Sequence, residues 1–492
     1  MDNGFKDSLK ATSLFGGVQI YKILIQIIRS KFIAILLGPT GIGISNLLSS
    51  TTATITAFTG IGLSSSAVKN ISEAYASKDE GRLLNVISVF RRLVWVTGLL
   101  GAIVCAVLSP YLSQLAFGNK NYTIAFIILS VTLLFEQLTS GQNTVMQGMH
   151  RYRYMAKSAV IGCTIGLLTT VPLYYFWGID AIVPVLVISS ITSLMLSLFF
   201  YRKIGVRTVP ISRPTMITDG KNMVFMGLSL SLTTMVGTAI GYFVKIFIER
   251  YGGVSEVGLF AAGFAMVNTY VGLVMNAMST DYYPRLCAVN SDTRQLCTTV
   301  NNQMQLSFIL LAPLISTFIV FSHAIVIILY SDKFIPVEGM MYWAMIATYF
   351  QLFSWALSLS FVAKADYKTL IINEICANFY VIPSQLIGYR IAGLTGIGIA
   401  YLFNYIMYSL QVYITCKRKY GIIVFKESFV VFIKQLPIIW CCLLTTIFVD
   451  NAYKFIVGAF WVLVSCTIAY RDLDSRINVR DIITKFIYKM KK

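Results

Sequence analysis

Fourteen stretches of about twenty mostly apolar residues follow one another along this 492-residue chain, each long enough to cross the hydrocarbon layer of a bilayer as one helix. They lie near 12–37, 41–69, 83–108, 122–148, 156–176, 179–200, 222–250, 256–280, 300–321, 337–362, 369–390, 394–415, 428–449 and 453–470. Inside hydrocarbon an unpaired backbone amide has no water to bond, so such runs fold as helices that satisfy themselves. Composition agrees, because only 12% of residues are charged, half the roughly 25% that a soluble domain uses to coat its surface. The mean hydropathy is +0.73. The expected fold class is all-α, a polytopic membrane protein with about 14 transmembrane helices.

The formal net charge of +19 would suggest a nucleic-acid partner in a soluble chain. Here the basic residues sit in short clusters between spans, which is the positive-inside pattern, and no nucleic acid is expected. With the N-terminus in the cytoplasm, 30 of the 40 Lys and Arg fall on that side, five on the other and five within spans. Both termini are therefore expected in the cytoplasm. The segment after residues 1–10 does not read as a removable signal peptide, since it lacks a small-residue cleavage site at the right distance. The nine Cys mostly lie inside apolar segments, and only two His occur, His150 and His323, far apart in sequence. Neither a disulfide framework nor metal-ligand spacing is present, and no metal or other cofactor is expected.

The longest and most basic internal linker, about 201–221, contains Pro210 and Pro214. It separates two portions that match at a nearly fixed offset. Gly38-Pro39-Thr40-Gly41-Ile42-Gly43 corresponds to the segment Gly252 to Gly258, Tyr152-Arg153 to Tyr367-Lys368, and Arg202-Lys203 to Lys417-Arg418, all at 214 or 215 residues. A six-helix unit with both ends on one side repeats in parallel orientation, with a substrate site between the halves. The expected organisation is an N-lobe over 1–210, a C-lobe over 211–420, two further helices over 421–472 and a basic amphipathic cytoplasmic tail over 473–492. That tail has Ile482, Ile483, Phe486 and Ile487 among lysines, a pattern suited to an anionic membrane surface.

Charges inside the spans need a cavity, a partner or a route to the surface, because one at a helix centre costs roughly 2.5–3.5 kcal/mol on insertion scales. In the first span Gln19, Lys22, Gln26 and Arg29 recur at i, i+3, i+7 and i+10, within an arc of roughly 80°. They read either as a hydrated positive wall for an anionic substrate or as a polar seam against neighbouring helices. Lys31 and Lys245 are equivalent at an offset of 214, and as a symmetric pair they suit a diphosphate; snorkelling, or pairing of Lys245 with Glu249, is the plainer alternative. Glu136 lies mid-span in the fourth segment, where a carboxylate suits a proton or sodium carrier or a counter-ion for Lys22 or Arg29. Its repeat equivalent is Gln351.

Three segments carry a family resemblance: Lys31-Phe-Ile-Ala-Ile-Leu-Leu-Gly-Pro-Thr-Gly-Ile-Gly43, Gln147-Gly-Met-His-Arg-Tyr-Arg153 with Met155-Ala-Lys157, and Asp281-Tyr-Tyr-Pro-Arg-Leu286. Together they resemble the Wzx-type polysaccharide flippases of the MATE/MOP transporter superfamily, from the first span to about residue 420. The resemblance implies a non-enzymatic carrier in the bacterial inner membrane that serves O-antigen, lipopolysaccharide or related surface polysaccharide biosynthesis. Its implied substrate is an undecaprenyl-diphosphate-linked oligosaccharide, moved from the cytoplasmic to the periplasmic leaflet by alternating access. Membrane lipids, a coupling H+ or Na+, and glycan polymerase or ligase machinery are the implied partners. On this reading Lys22, Arg29, Lys31, Lys245, Gln19 and Gln26 face the diphosphate and Glu136 resets the carrier. Two rivals share part of the pattern. A MATE exporter of cationic drugs should have an acidic cavity, and a membrane glycan polymerase or ligase should have a sizeable outward loop, which no pair of spans leaves room for.

Overall fold

The computed structural model describes residues 3–206, 209–210, 213–449 and 451–477. The amphipathic tail segment expected after residue 480 lies outside the described residues. The described chain is helical throughout, in the order α1 (Asn3–Gly60), α2 (Leu63–Ala76), α3 (Glu80–Val107), α4 (Ser109–Phe117), α5 (Thr123–Gly148), α6 (Tyr152–Trp177), α7 (Ile182–Arg202) and α8 (Arg213–Gly252). There follow α9 (Val254–Ala288), α10 (Thr293–Val320), α11 (Ser322–Leu329), α12 (Glu338–Ala363), α13 (Tyr367–Tyr420), α14 (Lys426–Phe448) and α15 (Asn451–Ile477). Two of these bend sharply. Gly38 (φ 64°, ψ −169°) divides α1 into two arms, and Ala392 and Gly393 divide α13. Taking α2 as the continuation of the second arm of α1, and the short α4 and α11 as caps, the described residues make 14 membrane-length passes. α1, whose first arm carries Lys22, Arg29 and Lys31, is absent from the helices that qualify as spans by length and apolarity alone.

Local chemistry accounts for the boundaries, and it repeats. Asp79 and Asp292 cap α3 and α10, their carboxylates accepting from the amides of Arg82 (2.9 Å) and Arg294 (2.8 Å) and so satisfying donors that the helix cannot. Those helices match at an offset of 213, whereas α5 and α12 match at 215. The two extra residues lie in the turn before α12, where residues 331–337 replace 118–122. At 215 the correspondence reaches backbone angles: Gly38 and Gly253 have φ of 64° and 80°, and Gly178 and Gly393 have 54° and 56°. Left-handed hinges of this kind favour glycine because a Cβ at positive φ would crowd the residue's own backbone. Even the non-glycine turns agree, with His150 and Ala365 at φ 57° and 54°. In each the next amide reaches back 2.8 Å to a helix carbonyl, Arg151 to Met146 and Asp366 to Phe361. The repeat seen in the sequence is therefore matched in backbone angles and helix boundaries, with a register that slips by two residues along it.

The chain divides into two compact units, residues 1–258 with 329–331, and residues 259–328 with 332–492. This packing division comes after α8, whereas the division by sequence repeat comes before it. In the first unit one end is held by a core of Leu63, Ile71, Ile87, Phe90 and Val145 with Met223 of α8, and Ile204 and Val206 after α7 pack on it. Elsewhere large apolar side chains lie exposed along whole helix faces, such as Leu99, Ile103 and Val107 on α3, as lipid contact requires. In the second unit the last two helices are integral. Tyr349 of α12 stacks on Phe432 of α14 (4.9 Å between centroids, 11°), and its hydroxyl donates to the Phe432 carbonyl. Buried Ser428 joins Asn301 (2.8 Å) and Gln305 (2.8 Å) of α10, while Ser465 of α15 donates to Gln435 of α14 (2.8 Å). In so apolar a setting each unmet polar group is costly, so these bonds fix how α14 and α15 seat on α10.

The turn between α12 and α13 carries the densest charge cluster of the second unit. Asp366 accepts from Lys419 (2.5 Å), from the Tyr420 hydroxyl (2.6 Å) and from Thr369 (2.9 Å). Burial pushes its carboxyl up, but the bonds from Lys419, Tyr420 and Thr369 together outweigh this and hold it well below the usual carboxylate range. A carboxyl with a depressed pKa contributes stability that is present above its unfolded value of about 4 and is lost as the pH falls below it. Asp366→Asn is accordingly expected to lower the thermal midpoint at neutral pH. The gap from wild type should close as the pH is taken below about 4, as followed by thermal unfolding in detergent.

Candidate functional site

The first arm of α1 presents two opposed faces. Leu24, Ile28, Phe32 and Ile35 form an exposed apolar stripe. Gln19, Lys22, Gln26 and Arg29 lie about 145° around the helix from it, away from the face suited to lipid. Gln19 and Gln26 are exposed and Lys22 and Arg29 half-buried, so the stripe is not closed over by neighbouring helices of its unit. The Tyr21 hydroxyl and Thr164 of α6 are 2.7 Å apart and hold the arm in place. The charge of Arg29 acts on the phenol of buried Tyr174, and its Nε is itself buried without a hydrogen-bond partner among the described residues. No acid among the described residues pairs with Lys22 or Arg29.

The second arm of α1 meets α8. The Lys245 ammonium donates to Ser50 (2.7 Å), whose hydroxyl donates in turn to Asn46 (3.4 Å), and the Thr51 and Tyr242 hydroxyls are 2.8 Å apart. Glu249 pairs with Arg250 (3.8 Å) and not with Lys245. The expected equivalence of Lys31 and Lys245 is corrected by the hinges. Lys31 lies seven residues before Gly38 and Lys245 eight before Gly253, so the true counterpart of Lys31 is Ile246. One residue is about 100° of helix rotation. Lys31 accordingly stands on the flank of the apolar stripe, half-buried, while Lys245 points at Ser50.

At the hinges the backbones touch. A Cβ on Gly43 would overlap the carbonyl oxygen of Val254, and a Cβ on Gly258 would overlap that of Pro39. Both pairs are related by 215 residues, so the contact is reciprocal, each copy of the motif placing its glycine on the other's hinge.

Glu136 of α5 is exposed, and Ser140, Asn143 and Gln147 follow it at i+4, i+7 and i+11 on the same face. That face lies roughly 140° from the exposed apolar stripe of Ile124, Ile127, Ile128 and Val131. Glu136 makes no ion pair with Lys22, Arg29 or any other described residue in this structure. Its neighbour Gln137 is buried and donates to Thr97 (3.1 Å), and Ser140 bonds to Ser64 (2.9 Å). Two other acids on long helices have partners, Asp281 in Arg285 (2.6 Å) and Glu374 in the Tyr408 hydroxyl (2.7 Å).

Sequence reasoning missed Asn46, Ser50, Thr51 and Tyr242. The run Ser49-Ser50-Thr51-Thr52 was a visible signal, since four hydroxyls in mid-span need partners. Among the described residues no group of three or more His, Cys, Asp or Glu is suited to a metal. Cations without acids, hydroxyls and amides can hold and release an anion.

The chain is 20% identical over 420 residues to the lipid III flippases of Escherichia coli (strain K12) and of Shigella flexneri, covering 82% of this chain and 96% of theirs. Its fold is similar to that of an inward-facing multidrug resistance MATE family transporter of the MOP superfamily (TM-score 0.68, 15% identity, 82% of this chain and 94% of that one). It is equally similar to the lipid II flippase MurJ in an inward closed conformation (TM-score 0.67, 14% identity, 94% and 99%). A MOP superfamily transporter from Pyrococcus furiosus Vc1 (DSM3638), described as having a binding pocket of reversed polarity, also matches (TM-score 0.60, 14% identity, 84% and 96%). The model of the polysaccharide biosynthesis protein family matches residues 32–338, more than half of the chain. A multi-pass helical protein with a transporter fold and a cation-lined polar stripe, the chain belongs to the polysaccharide biosynthesis protein family.

Proposed function

We propose that this protein flips a polyprenyl-diphosphate-linked oligosaccharide across the bacterial inner membrane, from the cytoplasmic to the periplasmic leaflet, for O-antigen or related surface polysaccharide assembly. The observation that carries the reading is the pair Lys22 and Arg29, two cations on the polar face of α1 with no acid partner among the described residues. A diphosphate and its sugars cannot cross about 30 Å of hydrocarbon unaided, and a positive, hydrated wall offsets what the head group loses on leaving water. Family membership and the likeness to lipid III flippases support a lipid-linked glycan precursor as the cargo. In this proposal the lobes 1–210 and 211–420 alternate about the hinges at Gly38 and Gly253. Gln19 and Gln26 bond sugars or phosphate oxygens, and Lys245 and Lys31 add charge from two different azimuths. Both termini lie in the cytoplasm, as the 30-to-5 split of basic residues favours.

Glu136 is the proposed coupling group, exposed on a polar column and free of ion pairs among the described residues. In proteoliposomes an imposed proton or sodium gradient is expected to accelerate flipping of a lipid-linked oligosaccharide by the wild type. Glu136→Gln should flip at the gradient-free rate under either condition. A variant that still responds to the gradient sinks the assignment of Glu136 and leaves the substrate reading standing.

A further inference from the structure

Away from the α1 stripe, the first unit has an apolar slot of about 260 Å³ between α3, α5 and α7, with Val94, Leu134, Leu138, Leu194 and Leu198 along it. At the end where the basic residues cluster, the slot reaches Arg91, whose charge acts on the phenol of Tyr201, another lining residue. Arg91 and Trp95 also line a second hollow of about 670 Å³, with Arg92, Ser88 and the linker residues Val209 and Pro210. The linker is fixed there by the Val209 amide, which donates to Ser88 (3.0 Å). Both arginines are exposed, and neither forms an ion pair among the described residues. Beside them the lipid-suited face of α3 continues through exposed Val96, Leu99 and Leu100.

A chain-wide apolar slot leading to two uncompensated guanidiniums is complementary to one kind of molecule, an amphiphile with an acyl tail and an anionic phosphate head. We propose that this is a resident site for an anionic phospholipid. One acyl chain lies between α3, α5 and α7, and the phosphate takes the forked donors of Arg91 and Arg92. The site is distinct from the α1 stripe. It would tie the linker between the sequence repeats to the charge of the surrounding leaflet. A zwitterionic lipid has the same tail and phosphate, but its ammonium group opposes the arginines, so a preference for net negative charge is the distinguishing property.

Trp95 lines both parts of the site and serves as the probe. The full-length protein is reconstituted in nanodiscs of unlabelled phosphatidylcholine with a small fraction of dibrominated phosphatidylglycerol or dibrominated phosphatidylcholine. The Trp95 signal is taken as wild type minus Trp95→Phe. Quenching by the brominated phosphatidylglycerol is expected at a mole fraction at least five-fold lower than by the brominated phosphatidylcholine. Arg91→Gln with Arg92→Gln should abolish that preference while both lipids still quench, and Arg91→Lys with Arg92→Lys should retain part of it. Equal quenching by the two lipids in the wild type, or an unchanged preference in the glutamine variant, overturns the proposal. So does relief of quenching by unbrominated polyprenyl diphosphate at a level where unbrominated phosphatidylglycerol gives none, because the slot would then belong to the cargo.

Discussion

Arg29→Ala should weaken binding of a polyprenyl-diphosphate oligosaccharide by about 10- to 100-fold, the equivalent of one charge-assisted hydrogen bond of about 1.5–3 kcal/mol. The reason lies in what surrounds the side chain. Its Nε is buried without a partner, and no described acid neutralises it, so its desolvation is already met in the empty protein and an arriving phosphate meets a donor that is waiting. Lys22 lies two turns away on the same stripe, and Lys22→Ala should cost less, since an ammonium is a point charge without a fork. The double variant should lose glycan export altogether in cells with no other flippase. Arg29→Lys separates charge from geometry and is expected between wild type and alanine. Binding measured at two ionic strengths supplies the check, because the alanine variant should show the weaker salt dependence. Export and binding both unchanged in the double variant would mean that the stripe is a packing seam.

The second large effect concerns the hinges. Gly43→Ala and Gly258→Ala each drive a Cβ into a backbone carbonyl, at Val254 and Pro39 respectively, and a carbonyl cannot swing aside as a flexible side chain can. Overpacking of this kind costs about 1–3 kcal/mol per site and more for a larger residue. Each alanine is expected to lower the thermal midpoint in detergent, and Gly258→Val to leave little folded protein. Gly237→Ala on α8, where an added Cβ meets nothing within 4 Å, should be tolerated and serves as the control. Because the two contacts are reciprocal and adjacent, the Gly43 and Gly258 alanines should not combine additively. A double variant as stable as wild type would show that the two backbones do not cross as described.

Much of this was open to the sequence because the bilayer simplifies the problem. Length and apolarity give the passes, and a stripe such as Gln19, Lys22, Gln26 and Arg29 is visible wherever polar residues recur at helical spacing. The repeat was legible from Gly38 and Gly253, whose chemistry at a left-handed hinge leaves a mark in the residue type. Its register was not, because the two-residue insertion before α12 is silent in any single motif; the Lys31 and Lys245 pairing failed separately, on an offset of 214 where the hinge glycines stand at 215. Contacts between distant segments were not legible either. Nothing local in Ser50 names Lys245 as its partner, and nothing in Ile61-Gly62 announces that the helix breaks there against the backbone of Gly227. The seating of α14 on α10 through Asn301, Gln305 and Ser428 belongs to the same class, since each residue taken alone reads as an ordinary polar residue in a span.

The cation-lined stripe is also what separates a carrier of lipid-linked anions from an exporter of cationic compounds on the same fold, so substrate sign is the property to measure. Purified protein in liposomes is offered, without any gradient, a fluorescent polyprenyl-diphosphate oligosaccharide or a fluorescent lipophilic cation, and exposure of each at the opposite face is followed over time. Flipping of the diphosphate lipid should require the protein and fall at least ten-fold in Arg29→Ala, with no protein-dependent movement of the cation. Movement of the cation with the diphosphate lipid left at the protein-free rate would contradict the account.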